Sequence, residues 1–276
     1  MSHEPVSREE VLGALEHTFA RGAAQIEFRI EFDLYIDESR PPPVRLGPHL
    51  RRLVRRPSRQ AFESLLRAIG RLLMHWAGKL AVSTLRRLLK RWIDKLVAQP
   101  AVGIVDFGAH RCMYGHPGRS EVTLVAGDEY WHGAAGTAVD DLSKKPASVL
   151  QPLWLLDLVR GVEETHAIGD ERVDGHTCRH LVGHADLNRA ADAVCYEMPV
   201  PQGMDQLGQL ARLSLELWVD PERQIRRIRH HRGERAATST STLDLREFGV
   251  EPPSDWSRLN VPARLRARCV ADAQRA

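Results

Sequence analysis

The chain has 276 residues, enough to bury a core of ordinary size in one large domain or two smaller ones. Its composition is that of a globular protein, and no apolar run reaches the roughly 20 residues that a membrane-spanning helix needs. The net charge of +3 hides an asymmetry. Residues 48–98 carry ten arginines and three lysines against two acids, a net +11, and the remaining 26 basic and 34 acidic residues give −8. One strongly basic segment is therefore set into a mildly acidic body.

The first predicted elements are a helix and a long strand. Ser7 and Glu10 form a capping-box pattern at the start of a helix that ends near Gly22. Between Ile26 and Ile36, six apolar residues alternate with polar ones. This period of two predicts a strand with one dry and one wet face, as in an antiparallel sheet.

The basic segment, Pro48 to Ala98, predicts two amphipathic helices or one long helix with a bend, because its apolar residues recur at i, i+3, i+4 and i+7. Such helices can lie on an anionic membrane surface, bind nucleic acid, or pack on the body or another subunit and leave a solvated charged face. No helix-turn-helix, RNP or zinc-finger pattern accompanies the charge, which argues against nucleic acid. The candidate membrane-contact residues are Arg67, Arg71, Trp76, Arg86, Arg87, Lys90, Arg91 and Trp92.

After Pro100 the pattern is mostly that of strands. The predicted elements are a strand over 102–114, a hairpin over 121–132, a short helix over 152–160, a hairpin over 162–185 around Asp174-Gly175, a helical turn over 188–193, and a meander of strands over 211–219, 224–231 and 237–247. Strands do not alternate with long helices, so a parallel Rossmann-type sheet is not expected.

Neither an active site nor a metal centre is predicted. The chain has no nucleophile elbow, P-loop, GxGxxG or HExxH pattern, so we expect no enzymatic activity and no cofactor. Three histidines, His176, His180 and His184, share a predicted strand, where positions four apart are separated by roughly 13 Å, too far to share an ion. No two cysteines form a CxxC pair, and the start of the chain lacks a secretory pattern. We therefore expect free thiols and a cytoplasmic protein, free or membrane-associated.

From Ala23 to Pro262, the order of elements resembles the LolA-like and LppX/LprG-like lipoprotein carriers. The resemblance rests on the opening helix and long strand and on the following runs: Leu124–Trp131, Gln151–Gly161, Gly169–Cys178, Glu216–Asp220 and Asp244–Gly249. It implies an α+β fold in which a curved antiparallel half-barrel has helices on its concave side and an apolar cavity for acyl chains. The chain would then be a single domain, 1–276, with residues 48–98 inserted between the first two strands.

The resemblance implies a non-enzymatic protein that binds a lipid or another hydrophobic ligand, and the basic helices add peripheral membrane contact. The residues expected to line the cavity are Phe28, Ile30, Phe32, Leu213, Leu215 and Leu217. The same inward faces are also compatible with an ordinary core. The alternative function is a structural or interaction module whose barrel is filled by side chains and whose helices bind a protein partner.

Overall fold

A computed structural model describes residues 4–34, 100–127, 129–135, 142–146, 151–194, 196, 198, 212–234 and 237–253. The chain divides into two compact units. The first contains residues 1–30, 100–232 and 240–276, and the second contains residues 31–99 and 233–239. The predicted basic helices of residues 48–98 lie outside the described residues. The prediction of one domain over 1–276 stays a prediction.

In the described part of the chain, twelve strands form one mostly antiparallel sheet. The strands are β1 (Glu4–Val6), β2 (Ala23–Leu34), β3 (Ala101–Asp106), β4 (Arg111–Gly115), β5 (Glu121–Ala126), β6 (Glu129–Ala134), β7 (Ser143–Pro146), β8 (Val162–Val173), β9 (His176–Asp186), β10 (Arg212–Val219), β11 (Ile225–Glu234) and β12 (Ala237–Phe248). Their order across the sheet is β1-β8-β9-β10-β11-β12-β2-β3-β4-β5-β6-β7. The sheet is open, with the short strands β1 and β7 at its edges as described. The helices in the described part of the chain are α1 (Arg8–Phe19), α2 (Pro152–Arg160) and α3 (Leu187–Asp192).

Helix α1 begins where the sequence predicts. The Ser7 hydroxyl accepts a hydrogen bond from the Glu10 backbone N–H at 3.2 Å, which satisfies one of the free amides of the first turn. At the other end, the Thr18 hydroxyl donates to the Ala14 carbonyl and accepts from the Ile225 N–H, both at 2.8 Å. This buried threonine therefore joins the end of α1 to the start of β11.

One face of the sheet, here called the inner face, carries the core. Alternate residues of the strands point to it and form one cluster with the buried sides of α1 and α2. Val11 and Leu15 of α1 and Leu243 and Leu245 of β12 all belong to this cluster. The opposite face, here called the outer face, carries mainly charged and polar residues on β2 and β9–β12. This division follows from the period-two patterns in the sequence.

The β8–β9 hairpin forms as predicted. Val173 pairs with His176, so the loop has two residues, Asp174 and Gly175, with φ of 49° and 86°. Positive φ at both positions is the geometry that an Asp-Gly turn favours between twisted antiparallel strands. The prediction of a single strand over 102–114 is wrong, because a turn over 107–110 separates β3 from β4.

The turn between β3 and β4 has a local cause. The Asp106 carboxylate accepts from the Ala109 N–H at 3.0 Å and from the Arg111 guanidinium at 2.9 and 3.0 Å, which folds the chain back on itself. His110 takes a positive φ of 47° at the end of the turn. Asp106 pairs with Arg111 at the end of the β3–β4 hairpin next to the turn. Because apolar residues lie on both sides of this turn, their pattern in the sequence resembles that of one continuous strand.

Candidate functional site

The residues expected to line a cavity come together on the inner face. Phe28 of β2 and Leu213, Leu215 and Leu217 of β10 are buried members of the core cluster, and Ile30 is partly buried against it. The backbone of Phe32 lies in β2, but its side chain is outside the described residues. The expected membrane-contact residues, Arg67, Arg71, Trp76, Arg86, Arg87, Lys90, Arg91 and Trp92, also lie outside them.

The register of β10 explains this convergence. Leu215 pairs with Gly183 of β9 and His230 of β11, and Leu217 pairs with Leu181 and Ile228. Because directly opposite residues of an antiparallel pair point to the same face, three neighbouring strands present their alternate residues to the interior. The inner face is therefore apolar in this region except at His230.

Helix α2 occupies the interior beside these strands. Its sequence, PLWLLDLVR, is apolar on all sides apart from Asp157 and Arg160, and each residue from Pro152 to Val159 is buried. A short helix that is apolar all round is one surrounded by protein. The Trp154 ring lies 5.6 Å from the His230 ring, measured between centroids. Around α2 the described interior is thus filled by side chains.

His230 is a buried histidine held in its neutral form. Its Nδ1 lies 2.8 Å from the Ser214 carbonyl oxygen, which can only accept, so Nδ1 carries the hydrogen. Burial lowers the pKa of His230, and the charges of His231 and Arg232 lower it further against the opposing effect of the Ser214 bond. The side chain can therefore offer a neutral imidazole to the interior.

Asp157 is the centre of a buried polar cluster. Its Oδ2 lies 3.1 Å from Nε2 of His110 and accepts a hydrogen bond from the hydroxyl of Tyr196. Its Oδ1 lies 3.6 Å from Nε of Arg160 and makes no hydrogen bond. The Tyr196 ring also packs on the His110 ring at a centroid distance of 5.4 Å. These residues come from the β3–β4 turn, α2 and the region after α3.

No sequence motif joins the members of this cluster, because Asp157 is 47 residues from His110 and 39 from Tyr196. One signal was available, namely a single carboxylate within an apolar helix. Ionised groups are placed in such positions only when hydrogen bonds compensate the cost of burial. The lone Asp157 in this apolar run is therefore a sequence signal that a buried partner exists, although it does not identify the partner.

The two cysteines in the described part of the chain are unsuited to nucleophilic catalysis. Burial raises the pKa of the Cys112 thiol far above its ordinary value, and the nearby Asp157 charge raises it further, against a backbone hydrogen bond at Leu153. Burial likewise raises the pKa of Cys178 to about 11. Since the thiolate is the reactive form, neither residue provides a nucleophile at neutral pH.

The outer face of β9–β11 contains a satisfied aromatic and charged cluster. The Trp218 side chain is fully buried there, stacked on His180 at 4.0 Å and covered by Arg229 at 4.8 Å from its ring centroid. Its Nε1–H donates to Glu171 at 2.8 Å. Trp218 lies on the same face of β10 as the polar residues Ser214 and Glu216. Aliphatic and guanidinium groups bury it on that face, so the cluster stabilises the sheet without leaving an open site.

A cleft of about 260 Å³ lies at one end of the sheet. The residues lining it are Arg21, Asp174, His176, Glu222, Gln224, Arg226, Arg246, Glu247 and Phe248. The three arginines that line it are already paired, since Arg21 binds Glu222, Arg226 binds Asp220 and Arg246 binds Glu27. This polar lining does not suit an acyl chain.

Among the described residues there is no group of three or more His, Cys, Asp or Glu side chains arranged to hold a metal ion. His176, His180 and His184 lie along β9 as expected. Within the same residues, no helix has the length and apolar character to cross a membrane.

Together these features define an open, mostly antiparallel sheet protein whose apolar inner face packs against short helices. No family model matches the chain, and no curated protein matches it. Solved structures that match include the lipoprotein LppX of Mycobacterium tuberculosis, at 11% identity over 90% of this chain and 99% of that one, with a TM-score of 0.42. LprF of Mycobacterium bovis matches at 12% identity over 91% and 97%, with a TM-score of 0.41.

An uncharacterised conserved protein from Thermus thermophilus matches at 12% identity over 93% and 95% of the two chains, with a TM-score of 0.37. LppX-type proteins, which the order of elements in the sequence resembles, are thus among the matching structures.

Proposed function

We propose that this chain binds a lipid or another hydrophobic ligand on the inner face of its sheet, without catalysing a reaction. The observation that carries the proposal is the convergence of apolar residues from distant strands. Phe28 and Ile30 of β2 and the leucines of β10 join one continuous cluster on a single face. We further propose that the sheet curves as a half-barrel with α1 and α2 on its concave side, as the resemblance seen in the sequence implies.

An apolar face is sufficient for this kind of recognition. Each methylene transferred from water to such a surface contributes about 0.8 kcal/mol, so an acyl chain needs no specific polar partner to bind. The neutral His230 imidazole adds one hydrogen-bonding group to the interior.

Membrane contact is the second part of the proposal. Residues 48–98 combine a net charge of +11 with apolar residues at the spacing of a helix, and an amphipathic helix needs both to dock on anionic lipid. Each basic group near such a surface contributes on the order of 1 kcal/mol, screened by salt. We propose that this contact is with a cytoplasmic membrane surface.

Vesicle binding tests the membrane contact. We expect binding to anionic vesicles, weak binding to neutral ones, and only partial release by high salt, because apolar insertion is not screened. One variant set replaces charge by glutamine and should weaken binding: Arg86, Arg87, Lys90 and Arg91. A second set replaces Trp76 and Trp92 by serine and should lower the salt-resistant fraction. Equal binding to both vesicle types, or binding to neither, would contradict membrane contact.

A second candidate function is an interaction module whose interior is filled by its own side chains and whose partner is another protein. The burial of α2 favours it, since Trp154, Leu155, Leu156 and Leu158 are all at most 2% exposed. A packed interior of this kind leaves no room for a ligand beside α2. The two candidates therefore differ in whether hydrophobic compounds enter the protein.

Native mass spectrometry of the purified protein distinguishes them, together with titration by the apolar fluorescent probe N-phenyl-1-naphthylamine. A ligand-binding protein retains co-purified lipid and binds the probe saturably. Ile30→Thr on the inner face should weaken probe binding about tenfold, because it removes about two carbon groups, each worth about 0.8 kcal/mol, from a partly buried side chain of the core. Val102→Thr is the matched control, because Val102 is 44% exposed on the outer face of β3. Absence of both co-purified lipid and saturable binding would refute the first candidate and favour the second.

A further inference from the structure

The polar cleft at one end of the sheet is a feature that the proposed function does not use. It has a volume of about 260 Å³, and four separate segments of the chain line it. They contribute Arg21 after α1, Asp174 and His176 at the β8–β9 turn, Glu222, Gln224 and Arg226 at the β10–β11 turn, and Arg246, Glu247 and Phe248 at the end of β12. Because sites for drug-sized ligands have roughly 300–1,000 Å³, a cleft of this size suits a single small ring.

The charges in this cleft are compensated within the protein. Three arginines and three carboxylates line it, and each of the arginines is paired with a carboxylate. Glu222 also accepts a hydrogen bond from the Gln224 side chain at 2.9 Å. Glu247 accepts one from the Gln25 side chain at 2.7 Å. A charged ligand would have to compete with one of these pairs, whereas a neutral polar ligand leaves them all in place.

Asp174 and Arg246 retain hydrogen-bonding capacity in the cleft. Nη2 of Arg246 contacts Glu27 at 2.5 Å, but its Nε makes no hydrogen bond. Oδ2 of Asp174 lies 3.9 Å from that Nε, which is too far for a direct hydrogen bond. The two side chains are 50% and 40% exposed, so both have room to adjust to a ligand. Since a hydroxyl both donates and accepts, one hydroxyl oxygen can accept from Arg246 and donate to Asp174.

Phe248 supplies an apolar surface among these polar groups. Its ring packs against the core cluster, and the Arg226 guanidinium lies 4.7 Å from the ring centroid. Hydrogen bonds to Asp220 at 2.6 Å and to the Arg246 carbonyl at 3.2 Å hold that guanidinium in position. A pyranose ring carries hydroxyls around its rim and apolar C–H groups on its faces. The lining therefore offers both of the surfaces that such a ring requires.

We propose that this cleft binds a neutral pyranose sugar. One hydroxyl of the sugar bridges Arg246 and Asp174, and others bond to the exposed Arg21–Glu222 pair. A C–H face of the ring packs toward Phe248. This site is additional to the proposed lipid-binding function and does not depend on it, because none of the residues expected to line the apolar cavity lines the cleft.

Titration of the full chain with the methyl pyranosides of glucose, mannose and galactose, followed by saturation-transfer difference NMR, tests the proposal. At least one of these sugars should bind saturably, with a dissociation constant on the order of 1 mM for so small a ligand. Asp174→Gly removes the carboxylate and suits the φ of 49°, so the turn is retained. This variant should bind roughly tenfold more weakly, the factor expected for losing a hydrogen bond to a charged group.

Arg223→Gly is the matched control. It also removes an exposed charged side chain at a positive φ, of 59°, in a turn at the same end of the sheet, but Arg223 does not line the cleft. Binding should be unchanged in this variant. Arg21→Gln is a second test variant, since its exposed ion pair is not needed for folding, and it should weaken binding as Asp174→Gly does.

Several results would overturn the sugar site. They are the absence of saturable binding by all three sugars, equal binding by Asp174→Gly and the unmodified protein, an equal loss in Arg223→Gly, and tighter binding of glucuronate than of the neutral sugars. Binding of N-phenyl-1-naphthylamine should be the same in Asp174→Gly as in the unmodified protein. If the protein does not bind that probe at all, the lipid-binding function fails, and the sugar titration still decides whether the cleft is a site.

Discussion

The buried ion pair at the β10–β11 turn makes a quantitative prediction. Nε of Arg226 donates to Oδ2 of Asp220 at 2.6 Å, and the two side chains are only 10% and 2% exposed. Oδ1 of the same aspartate accepts from the Gln224 N–H at 2.8 Å, within the turn. Asp220→Asn keeps an acceptor for Gln224 but removes the charge that compensates Arg226. Breaking a buried pair in this way costs about 3–5 kcal/mol.

Urea unfolding monitored by circular dichroism measures this loss in the free energy of unfolding. The thermal unfolding midpoint of Asp220→Asn should be lower by roughly 6–20 °C. Arg21→Gln is the matched control. It breaks the Arg21–Glu222 pair near the same turn, where the side chains are 48% and 67% exposed, and should cost less than about 1 kcal/mol. The double variant Asp220→Asn with Arg226→Met should recover part of the loss, since no unpaired charge is left buried. If Asp220→Asn is no more destabilising than Arg21→Gln, the pair is screened by solvent and the reasoning fails.

Three further predictions concern the interior. Leu215→Ala should lower the free energy of unfolding by about 2–5 kcal/mol, whereas the exposed Val102→Ala should change it by less than about 0.5 kcal/mol, and similar values for both would contradict a packed inner face. Burial lowers the pKa of His230, so the unfolded chain binds this proton more readily and stability should fall as the pH drops below about 6.5. His230→Asn should remove that part of the pH dependence, measured by urea unfolding at pH 5 and 7, and an identical slope in both proteins would argue against it. Cys112 and Cys178 should resist iodoacetamide at pH 8 until urea is added, as read by peptide mass spectrometry, because burial raises the pKa of both thiols; rapid native labelling would show that they are accessible.

The sequence predicted the elements that have a strong period or a capping signal. The alternation from Ile26 onward corresponds to β2, and the Ser7 cap and the Asp174-Gly175 turn form as expected. It did not predict the break between β3 and β4, because hydrogen bonds to the Asp106 carboxylate set that turn and the pattern of apolar residues does not reveal them. The edge strands β1 and β7 were also missed, since three or four residues are too few to show a period.

The inner-face residues Phe28, Leu213, Leu215 and Leu217 could be named from sequence because each strand repeats its apolar residue every second position. The polar cluster of Asp157, His110 and Tyr196 could not, because tertiary contacts alone bring these residues together. Trp218 is a different case. Its position in β10 assigns it to the polar outer face, and it is nevertheless buried there because Arg227, Arg229 and His180 cover its ring. Periodicity thus assigns a face, and burial on that face depends on neighbours that only the fold supplies.

The edges of the sheet limit how this protein can associate. As described, its outermost strands are β1, of three residues including Pro5, and β7, of four residues ending in Pro146. Proline has no backbone N–H to donate, and so short a strand offers few unpaired groups to a second chain. Each of these edges therefore offers few free backbone N–H and C=O groups for the in-register pairing that drives strand exchange and amyloid growth. Association through these edges is disfavoured, and a partner that docks elsewhere has to be selected by side chains.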